Sequence, residues 1–295
     1  AVVAAGVQAT DRIVTGPKSA ASLTLRDGTV LSVGPDSVMD LSQFAFNPTT
    51  QDGNVLVSLL RGSLRMATGL IAKVKPEQVK VTTPTTVIGV RGTDFIVEEK
   101  RPFHGLLAPL LLALAACAPA TRVVLLPQEG VPTAAVEVQS QSTHVVLAKP
   151  YQVAEVRERG EVEQKQTDAS AVQKRYGQLL SVQPAAEQRF TLLFMPGGAQ
   201  LTPESSAALA DVLARATERP GGEVIIIGHT DRVGSVESND TLSLQRAQAV
   251  RQLVIDRGFD PNRVEAVGRG EREPVVQTAD EVEEPKNRRA EIVVR

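Results

Sequence analysis

The segment Ile227-Gly228-His229-Thr230-Asp231, answered further on by Leu242-Ser243-Leu244-Gln245-Arg246-Ala247, decides how the last third of this chain is read. Val224 to Ile227 is a short β-branched run, the mark of a buried strand, and it ends in a polar turn that presents Asp231 at a sheet edge. The following periodic stretch predicts a helix from about Leu242 to Arg257, with Leu242, Ala249, Val250, Leu253 and Val254 on one face and Gly258 placed to stop it. That helix presents Arg246 one turn inside its start, so an anion and a cation share one rim. Such a pair suits a zwitterion: the carboxylate accepts from an ammonium, and the guanidinium holds a carboxylate with its planar fork. The plainer alternative is a salt bridge that fixes loop to helix, worth only about 0 to 1 kcal/mol when exposed.

Working outward, strands are expected at Phe190 to Phe194, Glu223 to Gly228, Arg263 to Val267 and Arg289 to Val294. Thr202-Pro203-Glu204 supplies an N-cap, an N1 proline and a first-turn acid for a helix to about Thr217. Strand, helix, strand, helix, strand, polar loop and last strand make an α/β sandwich pattern of βαβαβ-β order.

These residues resemble the OmpA C-terminal family. Phe194 with Gly197 and Leu201 is similar to its opening strand and turn, Gly268, Gly270 and Pro274 to its third-strand exit, and Asn287 to Ile292 to its closing strand. The resemblance implies a peptidoglycan-binding domain over 188–295, whose ligand is the diaminopimelate of the stem peptide. It carries the binding role to Asp231 and Arg246, and a supporting one to Thr230, Asn239 and Arg288. It implies no cofactor and no metal.

The rest of the chain differs in pattern. Residues 1–99 alternate short apolar runs with turn residues, as an all-β module does. Ser19 to Leu25 and Val30 to Val33 flank Asp27-Gly28 and should pair as a hairpin. Further strands are expected at Val38 to Phe46, Val55 to Met66, Val79 to Thr83, Thr86 to Val90 and Asp94 to Val97. Gly16, Gly34-Pro35, Leu60-Arg61-Gly62, Thr83-Pro84 and Gly89-Val90-Arg91-Gly92-Thr93-Asp94-Phe95 resemble a FecR-type domain. The resemblance implies a twisted antiparallel β-solenoid or sandwich that acts in envelope signalling or protein interaction, with no catalysis. The Gly-rich stretch around Arg91 lacks the strand, loop and helix order of a phosphate loop.

Residues 100–120 contain an apolar run, Gly105 to Ala116, preceded by Lys100 and Arg101 and followed by Cys117. It is too short to span a bilayer, but with Leu114-Ala115-Ala116-Cys117 it resembles a lipobox, which would make Cys117 a lipidation site. A lipoprotein signal after a whole domain is out of place, which reads either as a natural fusion or as two neighbouring genes joined. Residues 121–187 are expected to hold a small β element, at Arg122 to Leu126, Ala134 to Val138 and His144 to Leu147, and then, from Arg157 to Ala186, a polar linker with partial helix.

Composition narrows the functions. A formal charge of −2 and an absence of Trp disfavour nucleic acid, which needs a basic surface and stacking platforms. The single Cys excludes thiolate zinc sites and internal disulfides. The three His are scattered at 104, 144 and 229, and no hydrolase motif accompanies them, so no catalytic residue is assigned. The expectation is a non-catalytic protein facing the periplasm of a Gram-negative bacterium, tethering outer membrane to peptidoglycan. The alternative is a periplasmic signalling module acting through the β-domain on an envelope protein partner.

Overall fold

The computed structural model describes residues 6–100, 119–128, 134–141, 143–184, 186–195, 198–219 and 222–295. Cys117, Gly197 and the apolar run Gly105 to Ala116 lie outside them. The chain divides into two units, one of residues 6–47 and 51–184, the other of residues 48–50 and 185–295.

The N-terminal unit begins with β1 (Arg12–Val14), β2 (Ala21–Thr24), β3 (Val30–Val33), β4 (Val38–Phe46) and β5 (Gly53–Ala67). Helix α1 (Leu70–Val74) and a 3-10 turn lead to β6 (Val79–Thr82), β7 (Val87–Arg91) and β8 (Asp94–Glu99). Then come β9 (Thr121–Leu125), β10 (Ala135–Gln139), β11 (His144–Leu147), β12 (Gln152–Val156), β13 (Val162–Gln166) and helix α2 (Ala169–Leu180). The main path of the sheet runs β11-β10-β7-β6-β5-β8-β9-β12-β13, with β3 and β4 also paired to β5. β5 is the hub: its first half pairs with β4 and β6, its second half with β3 and β8.

The expected hairpin forms, with β2 and β3 antiparallel from Ala21↔Val33 to Thr24↔Val30. Its turn is held by Asp27, which accepts from both the backbone N (3.0 Å) and the hydroxyl (2.7 Å) of Thr29, while Gly28 takes φ +87°. The Gly-rich stretch around Arg91 is the β7–β8 turn. Just past it Asp94 receives Arg65 of β5 in a two-pronged pair at 2.9 and 2.5 Å, so the motif clamps strands together.

Two expectations are corrected here. Pairing in this unit is not antiparallel throughout, because β5 and β6 run parallel from Val55↔Val79 to Ser58↔Thr82. After Ala67 the chain folds back through α1 and the 3-10 turn to the start of β5, the crossover a parallel neighbour requires. Nor do residues 121–187 form a separate small β element and linker: β9 pairs with β8 and β10 with β7, inside the N-terminal sheet. β12 extends it, β13 extends it further from residues read as linker, and α2 is a capped helix, with Asp168 accepting from Ala171 N at 2.9 Å. The polar composition misled because β13 is an edge strand with an exposed Glu163-Gln164-Lys165-Gln166 run, and α2 buries only Val172, Tyr176 and Leu179.

The C-terminal unit comprises β14 (Gln188–Leu193), α3 (Pro203–Thr217), β15 (Val224–Gly228), α4 (Val236–Asp256), a 3-10 turn (Pro261–Arg263), β16 (Val264–Gly268) and β17 (Arg289–Val294). The sheet order is β14-β17-β15-β16. β15 and β16 are parallel, joined by the α4 crossover, and the last strand β17 inserts antiparallel between β14 and β15. Leu192, Val212, Ile226, Val250, Val254 and Ile292 are buried together where helices meet sheet. Each such side chain contributes about 1.5 to 3 kcal/mol by leaving water. Thr202 caps α3 as expected, its hydroxyl accepting from Ser205 N at 3.3 Å.

α4 starts earlier than its apolar periodicity indicated. Ser235 is the N-cap, accepting from Ser238 N at 3.2 Å, with Glu237 in the first turn. The turns before Leu242 were missed because their buried residue, Asn239, is polar. Among the described residues no helix is long and apolar enough to cross a membrane.

Candidate functional site

The site is built where the ends of β15 and β16 meet the middle of α4. A Cβ on Gly228 would lie 1.9 Å from the backbone oxygen of Ser243, and one on Gly268 would lie 2.7 Å from both Leu244 N and Ser243 Oγ. Only glycine lets two strands approach a helix backbone this closely. Ser243 completes the joint, its hydroxyl donating to Asp240 O (2.8 Å) and accepting from Gly270 N (2.9 Å). The next turn of α4 thereby brings Arg246 to the polar turn that follows β15.

Arg246 is 1% exposed, and it is among the largest fully buried side chains of the described residues. Its Nε donates to Gly198 O at 3.0 Å and its Nη1 to His229 O at 3.1 Å. The guanidinium lies 5.3 Å from the centre of the Phe194 ring, within cation–π range. Both acceptors are neutral carbonyls, and Arg246 makes no ion pair among the described residues. Burial lowers its pKa below the ordinary arginine value. The Asp231 charge opposes that fall and the Arg288 charge adds to it.

Asp231 is buried as well, but its ion-pair partner is Arg288. Arg288 Nη1 donates to Asp231 Oδ2 at 2.9 Å, and Glu284 N donates to the same oxygen at 3.3 Å. Arg288 Nη1 also lies 3.7 Å from the exposed carboxylate of Glu283. The structure thus brings together Asp231, Arg246 and Arg288 as one anion between two cations. Arg288, read from sequence as supporting, is the direct partner of Asp231. Thr230 is 2% exposed; its backbone N donates to Gly270 O (3.0 Å), and its buried hydroxyl has no hydrogen-bond partner among the described residues. Asn239 is buried on α4, and its Nδ2 donates to Glu271 Oε2 at 2.6 Å, tying helix to loop.

That loop, between β16 and β17, is held in place by polar contacts. The Asn287 side chain accepts from Val275 N (2.9 Å) and Val276 N (3.0 Å) and donates to Val276 O (2.8 Å). Arg232 reaches Asp280 at 2.5 Å and Thr278 O at 3.0 Å, and Arg272 pairs with Asp240. These contacts set the backbone that carries Glu284 and Arg288.

His229 is not suited to proton transfer. It is fully buried, neither ring nitrogen has a hydrogen-bond partner among the described residues, and Glu291 Oε1 is 3.7 Å from Nε2. Burial, with the charges of Arg289 and Arg269, pushes its pKa down to about 2, so the ring is neutral. Its backbone serves the site instead, donating to Arg289 O (2.8 Å) and accepting from Arg246. No group of three or more His, Cys, Asp or Glu able to hold a metal ion occurs among the described residues.

Sequence reasoning missed three contributions: the ring of Phe194, the backbone oxygen of Gly198 and the backbone N of Glu284. The first had a signal, since an aromatic at the end of β14 faces the helix that carries Arg246. The two backbone groups had none, because a main-chain donor or acceptor leaves no mark in the residue sequence.

Known proteins are similar to parts of this chain. The OmpA family model matches residues 193–288, and the FecR protein model matches residues 11–103. Outer membrane porin F of Pseudomonas fluorescens is 41% identical over 86 residues, covering 29% of this chain and 26% of that porin. The peptidoglycan-associated lipoprotein of Pseudomonas putida is 35% identical over 113 residues, covering 38% of this chain and 68% of the lipoprotein. The crystal structure of the peptidoglycan-associated lipoprotein from Burkholderia pseudomallei aligns with 36% of this chain and 89% of its own, at 30% identity and a TM-score of 0.33. The chain therefore spans about a quarter of the porin and about two thirds of the Pseudomonas lipoprotein. With an OmpA domain at 193–288 and 35% identity across that share of the lipoprotein, the chain belongs to the OmpA family.

Proposed function

We propose that the C-terminal domain, residues 188–295, binds peptidoglycan without catalysing a reaction on it, and that the protein tethers the outer membrane to the cell wall from the periplasmic side. The observation that carries this reading is Arg246: a buried guanidinium bonded, among the described residues, only to carbonyl oxygens, beside a carboxylate already engaged by Arg288. Arginine keeps its proton, so an uncompensated buried charge of this kind is costly unless an anion meets it. The head group of diaminopimelate suits the arrangement. Its carboxylate goes to Arg246, and its ammonium goes to Asp231, which Arg288 and Glu284 N hold in place. Thr230 and Asn239 shape the rim. No cofactor is needed.

The membrane end of the tether is assigned to acylation at Cys117, which several chains on one residue would make firm. The N-terminal domain, of FecR type and solenoid-like or sandwich-like, is assigned to contact with an envelope protein. The match over residues 11–103 favours that second activity, as a signalling or interaction module.

The test is co-sedimentation of the full chain with purified peptidoglycan, beside Asp231→Ala and Arg246→Ala, with circular dichroism to establish that each variant is folded. Pelleting of the wild type and its loss in both folded variants supports the reading. A wild type that stays in the supernatant, or variants that pellet equally, overturns it and leaves signalling as the function.

A further inference from the structure

The apolar run at Gly105 to Ala116 divides the sequence of one folded sheet. Residues on its two sides meet along β8 and β9, paired from Phe95↔Leu125 to Glu99↔Thr121, and along β7 and β10, paired from Val87↔Gln139 to Arg91↔Ala135. We propose that the two flanking segments, residues 6–99 and 121–180, are mutual binding partners. A chain cut between Glu99 and Thr121 would then remain together as a non-covalent pair rather than release the C-terminal part.

Three independent features of the seam carry this. The first is apolar: Ile96 of β8 is fully buried in a cluster otherwise supplied from beyond the run, by Val124, Leu126, Val153, Val172, Tyr176 and Leu179. Separation would expose that cluster to water from both sides. The second is ionic: Arg175 on α2 grips Glu98 of β8 with Nε and Nη2, both at 2.8 Å, and Tyr176 donates its phenol to Glu98 at 2.7 Å. A two-pronged arginine contact fixes α2 against one position of β8. The third is a buried polar knot that sets the register. The Thr121 hydroxyl donates to Glu99, and it lies 3.0 Å from Thr83 Oγ1 and 2.5 Å from Thr85 Oγ1, both in the β6–β7 turn. A strand shifted by one residue would carry the Thr121 hydroxyl away from the buried Glu99 carboxyl.

The consequence bears on any processing at Cys117. Cleavage before that residue breaks the covalent link between β8 and β9, yet every seam contact described above survives it. The C-terminal domain would then stay attached to residues 6–99 through β9, β10 and α2, which precede it in the same fragment. The same complementarity holds if the two segments are made as separate polypeptides. None of this depends on what the C-terminal domain binds.

The experiment inserts a specific protease site between Pro102 and Phe103 of the full chain, cuts to completion, and passes the product over a gel-filtration column. The expected result is co-elution of both fragments at the position of the uncut protein, with separation only in denaturant. A second cut protein carries Val124→Asp, which places a charge in the buried cluster; there the fragments should elute apart. Separation of the wild-type fragments without denaturant overturns the proposal. So does undiminished co-elution of the Val124→Asp fragments, since the seam would then not be what holds them.

Discussion

Two buried polar centres, one in each domain, handle an ionisable side chain in opposite ways. In the N-terminal domain Glu99 is 5% exposed and surrounded by threonine hydroxyls, with no cation paired to it among the described residues. Burial pushes its carboxyl up to about 7, with Thr121 and Thr83 opposing the rise and Glu158 adding to it. Its answer to a low-dielectric setting is to take a proton and become a neutral hydrogen-bonding group. In the C-terminal domain Arg246 is 1% exposed and its hydrogen bonds among the described residues go to carbonyls, while the nearby Asp231 is paired to Arg288; a guanidinium does not shed its charge at any accessible pH. A buried acid can therefore be complete in itself, whereas a buried arginine whose neighbouring carboxylate is paired to another cation points to something outside the chain. That difference is why Glu99 is assigned to the structure of the seam and Arg246 to a ligand.

The comparison can be broken most directly at Arg246. Arg246→Met keeps the length and apolar stem but removes the charge, and should weaken peptidoglycan binding by about 2 to 5 kcal/mol. Its melting temperature should change little, because the loss of two hydrogen bonds is offset by relief of the buried charge. A large fall in melting temperature, with binding retained by the folded fraction, would move Arg246 to the structural side of the contrast.

Glu99 is next in size. Its folded pKa of about 7 lies above the ordinary 4.5, so between these values the folded protein holds a proton that the unfolded chain has released. Its contribution is fully present below about pH 4.5, is lost as the pH rises to about 7, and is level above that. It should amount to about 3 kcal/mol. Urea unfolding of the wild type at intervals from pH 4.5 to 8 should reveal this decline, and Glu99→Gln should flatten it. An unchanged slope in the variant would mean that Glu99 titrates like an exposed acid.

Arg288 tests whether Asp231 needs to be held. Arg288→Ala should reduce peptidoglycan affinity about tenfold, or about 1.4 kcal/mol, less than Arg246→Met, since the backbone N of Glu284 still contacts Asp231. If Arg288→Ala matched the Arg246 variant, Arg288 would be a direct ligand of the wall peptide. The smallest effect is expected at the exposed Arg12–Asp40 pair, 2.6 Å apart across β1 and β4. Arg12→Ala should leave denaturation and binding within error, which separates surface ion pairs from both buried centres.

Much of this was legible from residues alone, for identifiable reasons. β4 and β17 carry dense β-branched and apolar runs, and their bounds coincide with the sequence expectation. Thr202-Pro203-Glu204 marks the start of α3, because capping chemistry is local to the residues that perform it. The first turns of α4, before Leu242, were illegible for the converse reason: the residue they bury is the polar Asn239, and the apolar periodicity begins only at Leu242. β13 and α2 looked like linker because an edge strand and a helix laid on a sheet each need only a thin apolar stripe.

What the sequence determined by itself was local: where strands and helices begin, which turn carries Asp231, and which helix carries Arg246. Those signals lie within a few residues of what they specify. Tertiary structure alone decided which charge answers which, since Arg288 is 57 residues from the Asp231 it engages. It also decided that residues beyond the apolar run complete the sheet begun before it. Both are long-range pairings, and their partners are chosen by packing and by exclusion of water, for which no short stretch of residues carries a signal.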